Sequence, residues 1–207
     1  MKYKHICFDL DGVLINSLPI MKLSWEKCNL DIPFSEYEQL IGIPFFDILE
    51  KLKIDQKEWE KIKNLYDKTS SQEIDKVEKF ENVDELFSFL DTEKITYSLF
   101  TSKTKQRTIQ IKNKLFEDNH FLEIVTPEDL DKNSGKPKGV GLEKIMNKLK
   151  LLNGEVLYVG DTYFDYLCAK DVKVDFIFAG WGYGNNPGYD LVEANTILEF
   201  INKIKNS

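Results

Sequence analysis

Lys4-His5-Ile6-Cys7-Phe8-Asp9-Leu10-Asp11-Gly12 runs from a short apolar core into a turn that carries two carboxylates. Residues 4–10 read as a short buried strand, because a brief apolar run bounded by turn residues suits a strand covered on both faces. The same arrangement returns further along. Residues 96–101 are strand-like and end in Thr101-Ser102-Lys103. The clearest strand, Val156-Leu157-Tyr158-Val159, ends in Gly160-Asp161, with Asp165 one helical turn beyond. Glu123–Val125 and Phe176–Ala179 add further strands. Helical patterns occupy 105–115, 139–150 and Thr196 to Ile204, the last behind an Asn195 cap. Strands alternating with helices predict an α/β fold of right-handed βαβ units, with a parallel sheet covered on both faces.

From Leu18 to Lys79 the pattern changes to helices separated by breakers. Ser35-Glu36-Tyr37-Glu38 reads as a capping-box start, Gly42 and Pro44 interrupt the next pattern, and Asp55 opens a charged helix to about Lys68. A helical block between the first strand and the rest is best read as an insertion, a cap over the loop after that strand. The polar stretch Thr69–Lys79 is a connector back to the core or, slightly favoured, a solvated helix face.

Composition narrows the function. The chain has 207 residues, 42% of them apolar, enough for one core carrying an insertion. A net charge of -7 disfavours nucleic acid as the main ligand. Two histidines, His5 and His120, cannot supply a zinc cluster, and no cysteine lies just upstream of the single arginine, Arg107. Cys7, Cys28 and Cys168 form no CxxC pair and read as reduced side chains. The N-terminal apolar run is too short for a signal peptide, and no stretch approaches the ~20 apolar residues of a membrane span. The expectation is a soluble cytoplasmic protein, a monomer or weak dimer, without membrane or nucleic-acid partners.

In an open parallel sheet, ligands bind at the carboxyl ends of the strands. Asp9, Asp11, Thr101, Ser102, Asp161 and Asp165 gather there, and Lys136-Pro137 stands ahead of the 139–150 helix. Clustered carboxylates repel one another unless a hard divalent cation lies between them, and an all-oxygen set without histidine or thiolate indicates Mg2+. A lysine and a threonine hydroxyl beside that metal suit a phosphoryl group. One carboxylate can attack phosphorus while a second, two residues along, moves the proton. Each element taken alone has an ordinary explanation: a solvated turn, a helix cap or a strand end. Their joint placement in a fixed order does not.

At these residues the chain resembles the haloacid dehalogenase (HAD) superfamily. Phe8-Asp9-Leu10-Asp11-Gly12-Val13-Leu14 is similar to its first motif, Leu99-Phe100-Thr101-Ser102-Lys103 to its second, Gly135-Lys136-Pro137 to its third, and Val159-Gly160-Asp161-Thr162 through Asp165 to its fourth. Trp181-Gly182-Tyr183-Gly184 resembles a stretch common in phosphoglycolate-phosphatase-like members of subfamily IA. Ile41-Gly42-Ile43-Pro44 resembles their cap loop, which reaches the substrate. The resemblance implies a Rossmann-like core (1–15 and 82–207) with a small helical C1-type cap (16–81). It also implies Asp9 as nucleophile, Asp11 as general acid/base, and Thr101, Ser102 and Lys136 at the phosphoryl group. Magnesium is implied on Asp9, Asp161 and the Asp11 backbone carbonyl, supported from behind by Asp165. Gly42, Ile43 and Pro44 would face the substrate.

The activity so implied is a magnesium-dependent phosphatase acting on a small phosphorylated metabolite through an aspartyl-phosphate. The alternatives are a sugar phosphomutase of the β-phosphoglucomutase kind and a non-catalytic binding protein on the same fold. Trp25, Phe45 and Phe46 are cap core or pocket wall. A carboxylate-bearing substrate would call on a cap lysine such as Lys22, Lys27 or Lys51. Three positions depart from the family pattern: Ser102 for Asn, Glu81-Asn82 for Pro-Gly, and Val172-Lys173 for Ala-Gly.

Overall fold

The computed structural model of the protein describes residues 2–184, 186 and 191–207. Strand β1 (His5–Phe8) is wholly buried and leads through a tight turn into β2 (Ile15–Asn16). Four helices follow: α1 (Leu18–Lys27), α2 (Phe34–Glu38), α3 (Phe45–Lys51) and α4 (Trp59–Gln72). The chain returns through β3 (Glu78–Lys79), which pairs antiparallel with β2, so both ends of the helical segment leave the core side by side. The remainder alternates: α5 (Val83–Thr92), β4 (Thr96–Phe100), α6 (Lys105–Leu115), β5 (Ile124–Val125), α7 (Val140–Leu149), β6 (Val156–Gly160), α8 (Tyr163–Val172), β7 (Asp175–Ala179), β8 (Glu193–Ala194) and α9 (Ile197–Lys205).

The sheet order is β5-β4-β1-β6-β7-β8, parallel throughout, with β1 between β4 and β6. Successive side chains of a strand point to opposite faces, and the core divides accordingly. Ile6, Phe8, Leu157 and Val159 pack with the α5, α6 and α9 residues Phe87, Ile111 and Phe200. Cys7, Val156 and Tyr158 pack with Leu142 of α7 and Cys168 of α8. A sheet covered on both faces requires strands without a polar side, which explains the unbroken apolar runs. The α1–α4 segment has its own core of Trp25, Tyr37, Ile48, Leu49 and Ile62. Among the described residues no helix is long and apolar enough to cross a membrane.

Local differences from the sequence reading have simple causes. Helix α2 begins at Phe34 behind Pro33, so Ser35 lies inside it and caps nothing. Asp55 does cap, but it caps a 3-10 turn (Gln56–Glu58), its side chain accepting from the Lys57 amide at 3.0 Å. The Thr69–Lys79 stretch is the last turn of α4, a second 3-10 turn and β3. Thr196, rather than Asn195, caps α9, accepting from the Glu199 amide at 3.1 Å. Asn82 and Lys173 both adopt the left-handed backbone, at φ 66° and 58°. Asn tolerates that region better than Lys does.

His5 is fully buried, its Nδ1 2.8 Å from Thr96 Oγ1 and its Nε2 without a partner among the described residues. Burial lowers its pKa from 6.5 to about 4. Between those values the unfolded chain binds a proton that the fold refuses, so stability falls as pH drops through this window. Urea unfolding is expected to show that the native chain loses about 2 kcal/mol more between pH 7.5 and pH 5 than a His5→Gln variant. Parallel losses in the two proteins would contradict this assignment.

Candidate active site

The carboxyl ends of β1, β4 and β6 lie side by side, and each delivers a polar group that is almost wholly buried. Asp9 is 3% exposed, Thr101 1% and Asp161 0%. Gly12 turns the chain back after β1 at φ +79°, and a Cβ there would sit 2.0 Å from Asp161 Oδ2. Glycine is required both by the backbone and by this close approach. From the loop before α7, Lys136 enters between the carboxylates. Its Nζ lies 2.7 Å from Asp165 Oδ1 and 2.9 Å from Asp9 Oδ1. The latter is an ion pair, and it pulls against the burial of Asp9. The rings of Phe100 and Tyr158 lie 5.2 and 5.6 Å from the ammonium. Burial opposes its charge, but Asp165 and Asp9 outweigh that cost and raise Lys136 above its ordinary value.

Asp165 has donors on both oxygens. Oδ1 accepts from Lys136 and from Tyr158 Oη at 2.8 Å. Oδ2 accepts from Thr162 N at 3.1 Å and Thr162 Oγ1 at 2.6 Å. The Thr162 amide bond, with the Asp165 amide donating back to Thr162 Oγ1 at 3.3 Å, forms the capping box of α8. Asp165 therefore holds the lysine and the β6–α8 turn in place.

Asp9 and Asp161 are different. Asp161 Oδ1 is a buried carboxylate oxygen without a hydrogen-bond donor among the described residues, and Asp9 Oδ1 faces the Lys136 ammonium. Ligand atoms of Asp9, Asp161 and Asp165 lie within 4.8 Å of one another. Burial first, then the negative charges of Asp165 and Asp11, push Asp9 up to about 7 against the pull of Lys136. Burial and neighbouring carboxylates also drive Asp161 well above the usual carboxylate range. A donor-free buried oxygen among mutually repelling carboxylates is what a hard divalent cation satisfies, so these residues fit magnesium. The Asp11 side chain lies apart from the cluster. Its Oδ1 accepts from Ser17 Oγ and lies 3.0 Å from Lys103 Nζ.

A cavity of about 80 Å³ opens above these groups, lined by Asp9, Asp11, Thr101 and Ser102 from below and by Gly42, Ile43 and Phe45 from the helical segment. Gly42, at φ +113°, fits against Thr162 where a Cβ would come within 2.7 Å of Oγ1. Ser102 Oγ donates to the Gly42 carbonyl at 2.7 Å, so the hydroxyl expected at the phosphoryl group ties down the cap loop in this structure. Pro44 does not line the cavity. It packs over Gly135, where a Cβ would lie 2.9 Å from Pro44 Cγ.

Lys22, Lys27 and Lys51 are exposed and lie outside the cavity; its cations are Lys63 of α4, paired with Asp67, Lys103, paired with Asp11, and Arg107. Arg107 bonds to the Asp67 carbonyl at 3.2 Å and to Ser71 Oγ, bridging α6 to α4. Trp25 is cap core, and Phe46 stacks on Trp59 at 5.8 Å. Sequence reasoning missed Lys63, Arg107, Ser17 and Tyr158. Only Tyr158 carried a local signal, a hydroxyl inside an otherwise apolar strand.

A Rossmann-like sheet, two motif-bearing turns flanking β1 and a buried lysine among carboxylates define a class. The chain belongs to the haloacid dehalogenase-like hydrolases, whose family pattern matches residues 6–179. It is similar to the pyrophosphatase PpaX of Bacillus mycoides (strain KBAB4), 27% identical over 217 residues and covering 99% of each chain. In fold it matches a hydrolase from Pseudomonas syringae with a TM-score of 0.85, at 21% identity over 100% of this chain and 99% of that one. It also matches a predicted phosphoglycolate phosphatase from Haemophilus somnus 129PT with a TM-score of 0.82, at 21% identity over 99% of each chain. The family and fold read from the four motifs are thus those of the protein.

Proposed function

We propose that this HAD-family phosphatase hydrolyses small phosphates bearing a second anionic group, through an aspartyl-phosphate on Asp9 with magnesium. The observation that carries the reading is the donor-free buried oxygen of Asp161 within 4.8 Å of Asp9, which is paired with Lys136. Asp9, Asp161 and the Asp11 carbonyl would hold the metal. Bound there, magnesium supplies charge that keeps Asp9 ionised and offsets its repulsion from the phosphoryl oxygens.

A carboxylate oxygen of Asp9 attacks phosphorus while Thr101 and Lys136 hold the phosphoryl oxygens. The bond to the leaving oxygen breaks, and that oxygen takes the proton of Asp11. Asp11 then removes a proton from water, whose oxygen attacks phosphorus, releasing phosphate and regenerating Asp9. The 16–81 segment acts as a cap on the discontinuous 1–15 and 82–207 core. By closing, it would exclude water from the first step, and by opening it would admit water for the second.

Activity is expected to vanish on exhaustive chelation, return with magnesium and fall with excess calcium. Magnesium alone should raise the melting temperature by relieving the Asp9–Asp161 repulsion. Full turnover in chelator, or a melting temperature indifferent to magnesium, would overturn the metal assignment.

The cationic rim supports the substrate class, which includes pyrophosphate and short carboxylated phosphomonoesters. Lys63→Met is expected to lower kcat/KM about 10–100-fold for pyrophosphate and phosphoglycolate, the worth of one charged hydrogen bond. p-Nitrophenyl phosphate, with no second anion, should be nearly unaffected. Equal losses on all three would make Lys63 structural. A sugar phosphomutase must hold a bisphosphate under its cap, and the likeness to a pyrophosphatase supports the smaller substrate.

A further inference from the structure

Trp181-Gly182-Tyr183-Gly184 takes no part in the chemistry above, yet it lies against both the carboxylates and the roots of the helical segment. Trp181 Nε1 donates to the Val13 carbonyl at 2.9 Å. A Cβ on Gly182 would come within 2.4 Å of the Gly12 carbonyl, and one on Gly184 within 1.9 Å of the Asp161 carbonyl. Only glycine on either side lets the segment lie so close.

Tyr183, between them, faces both ways. Its amide donates to Asp161 Oδ2 at 2.8 Å. Its hydroxyl donates to the Ile15 carbonyl at 2.9 Å and accepts from the amides of Leu18, at 3.1 Å, and Ser17. Its ring packs on Phe80, with centroids 6.2 Å apart. Ile15–Leu18 is the way out to the helical segment, and Phe80 follows β3 on the way back. One residue therefore holds a carboxylate of the cation site and both connectors. The same connector carries Ser17, whose hydroxyl donates to Asp11.

We propose that Tyr183 is a positioning residue that couples cation binding at Asp161 to the hinge of the helical segment. The inference rests on the reading of Asp161 as a cation ligand. A cation drawn to Asp161 Oδ1 fixes the carboxylate whose other oxygen the Tyr183 amide holds. The phenol donates to Ile15, accepts from two amides and has Ser17 Oγ at 3.3 Å, so the connector is tied to it at several points. Coupling of this kind is reciprocal: whatever steadies the connector also tightens the cation.

The test is hydrogen exchange at the Ser17 and Leu18 amides of the full chain, with and without magnesium and without substrate, alongside calorimetry of magnesium binding. Magnesium is expected to slow both amides by about fivefold or more, the lower end of ordinary coupling energies. Tyr183→Phe keeps the ring and the Asp161 contact but removes the hydroxyl. In that variant both amides should exchange faster and ignore magnesium, while magnesium affinity weakens by the same factor. If calorimetry shows binding and the native amides do not respond, the coupling is wrong and the cation site stands. If the native chain binds no magnesium at all, the site reading falls and the coupling with it. The native measurement decides even if the variant folds poorly.

Discussion

Asp9→Asn is expected to stop turnover, by at least ~10⁴-fold in kcat, and to leave no phosphorylated enzyme in a rapid acid quench. An amide oxygen is a far weaker nucleophile than a carboxylate and carries no charge for a metal. The fold should survive. Asp9 is buried and repelled by Asp165 and Asp11, and Lys136 keeps its 2.7 Å bond to Asp165 when Asp9 is neutralised. Circular dichroism and urea unfolding would establish that the loss is chemical. Residual phosphoenzyme in this variant would move the nucleophile elsewhere.

Asp11→Asn should behave differently, although it lies two residues away. Its side chain stands apart from the cation cluster, bonded to Ser17 and facing Lys103 at 3.0 Å. Asn keeps an oxygen for Ser17 but has no proton to give. The expected cost is ~10²–10⁴ in rate with an alkyl phosphate, the usual worth of general acid/base help. It should be smallest for the first step with p-nitrophenyl phosphate, whose leaving group departs without a proton. Water activation would still fail, so phosphoenzyme should accumulate. Identical behaviour of the Asp9 and Asp11 variants with both leaving groups would refute the division of roles.

The core was legible because parallel strands covered on both faces must be apolar and must end in turns, and those turns carry the polar residues. Asp9, Thr101 and Asp161 could be placed together from strand ends alone, and the structure brings them together. The helical segment was less legible. Short helices joined by breakers are set by tertiary packing, so Ser35 looked like a cap where Pro33 begins the helix. Lys63 and Arg107 escaped notice because a charged residue on a solvated helix looks the same as one rimming a cavity. What separates them is the docking of α4 against α6, a contact between residues about forty positions apart. The bond from Ser102 to the Gly42 carbonyl was not legible for a related reason, since its partner is a backbone group sixty residues away. No local pattern marks such an acceptor.

The most direct measurement is to mix the Asp11→Asn variant with p-nitrophenyl phosphate and magnesium, quench in acid within one turnover, and map the phosphorylated peptide by mass spectrometry. One phosphoryl group is expected on Asp9, absent from the Asp9→Asn variant and removed on longer incubation. Phosphate carried on Asp161, Asp165 or any residue other than Asp9 would contradict it, as would p-nitrophenol release with no covalent phosphate at any quench time.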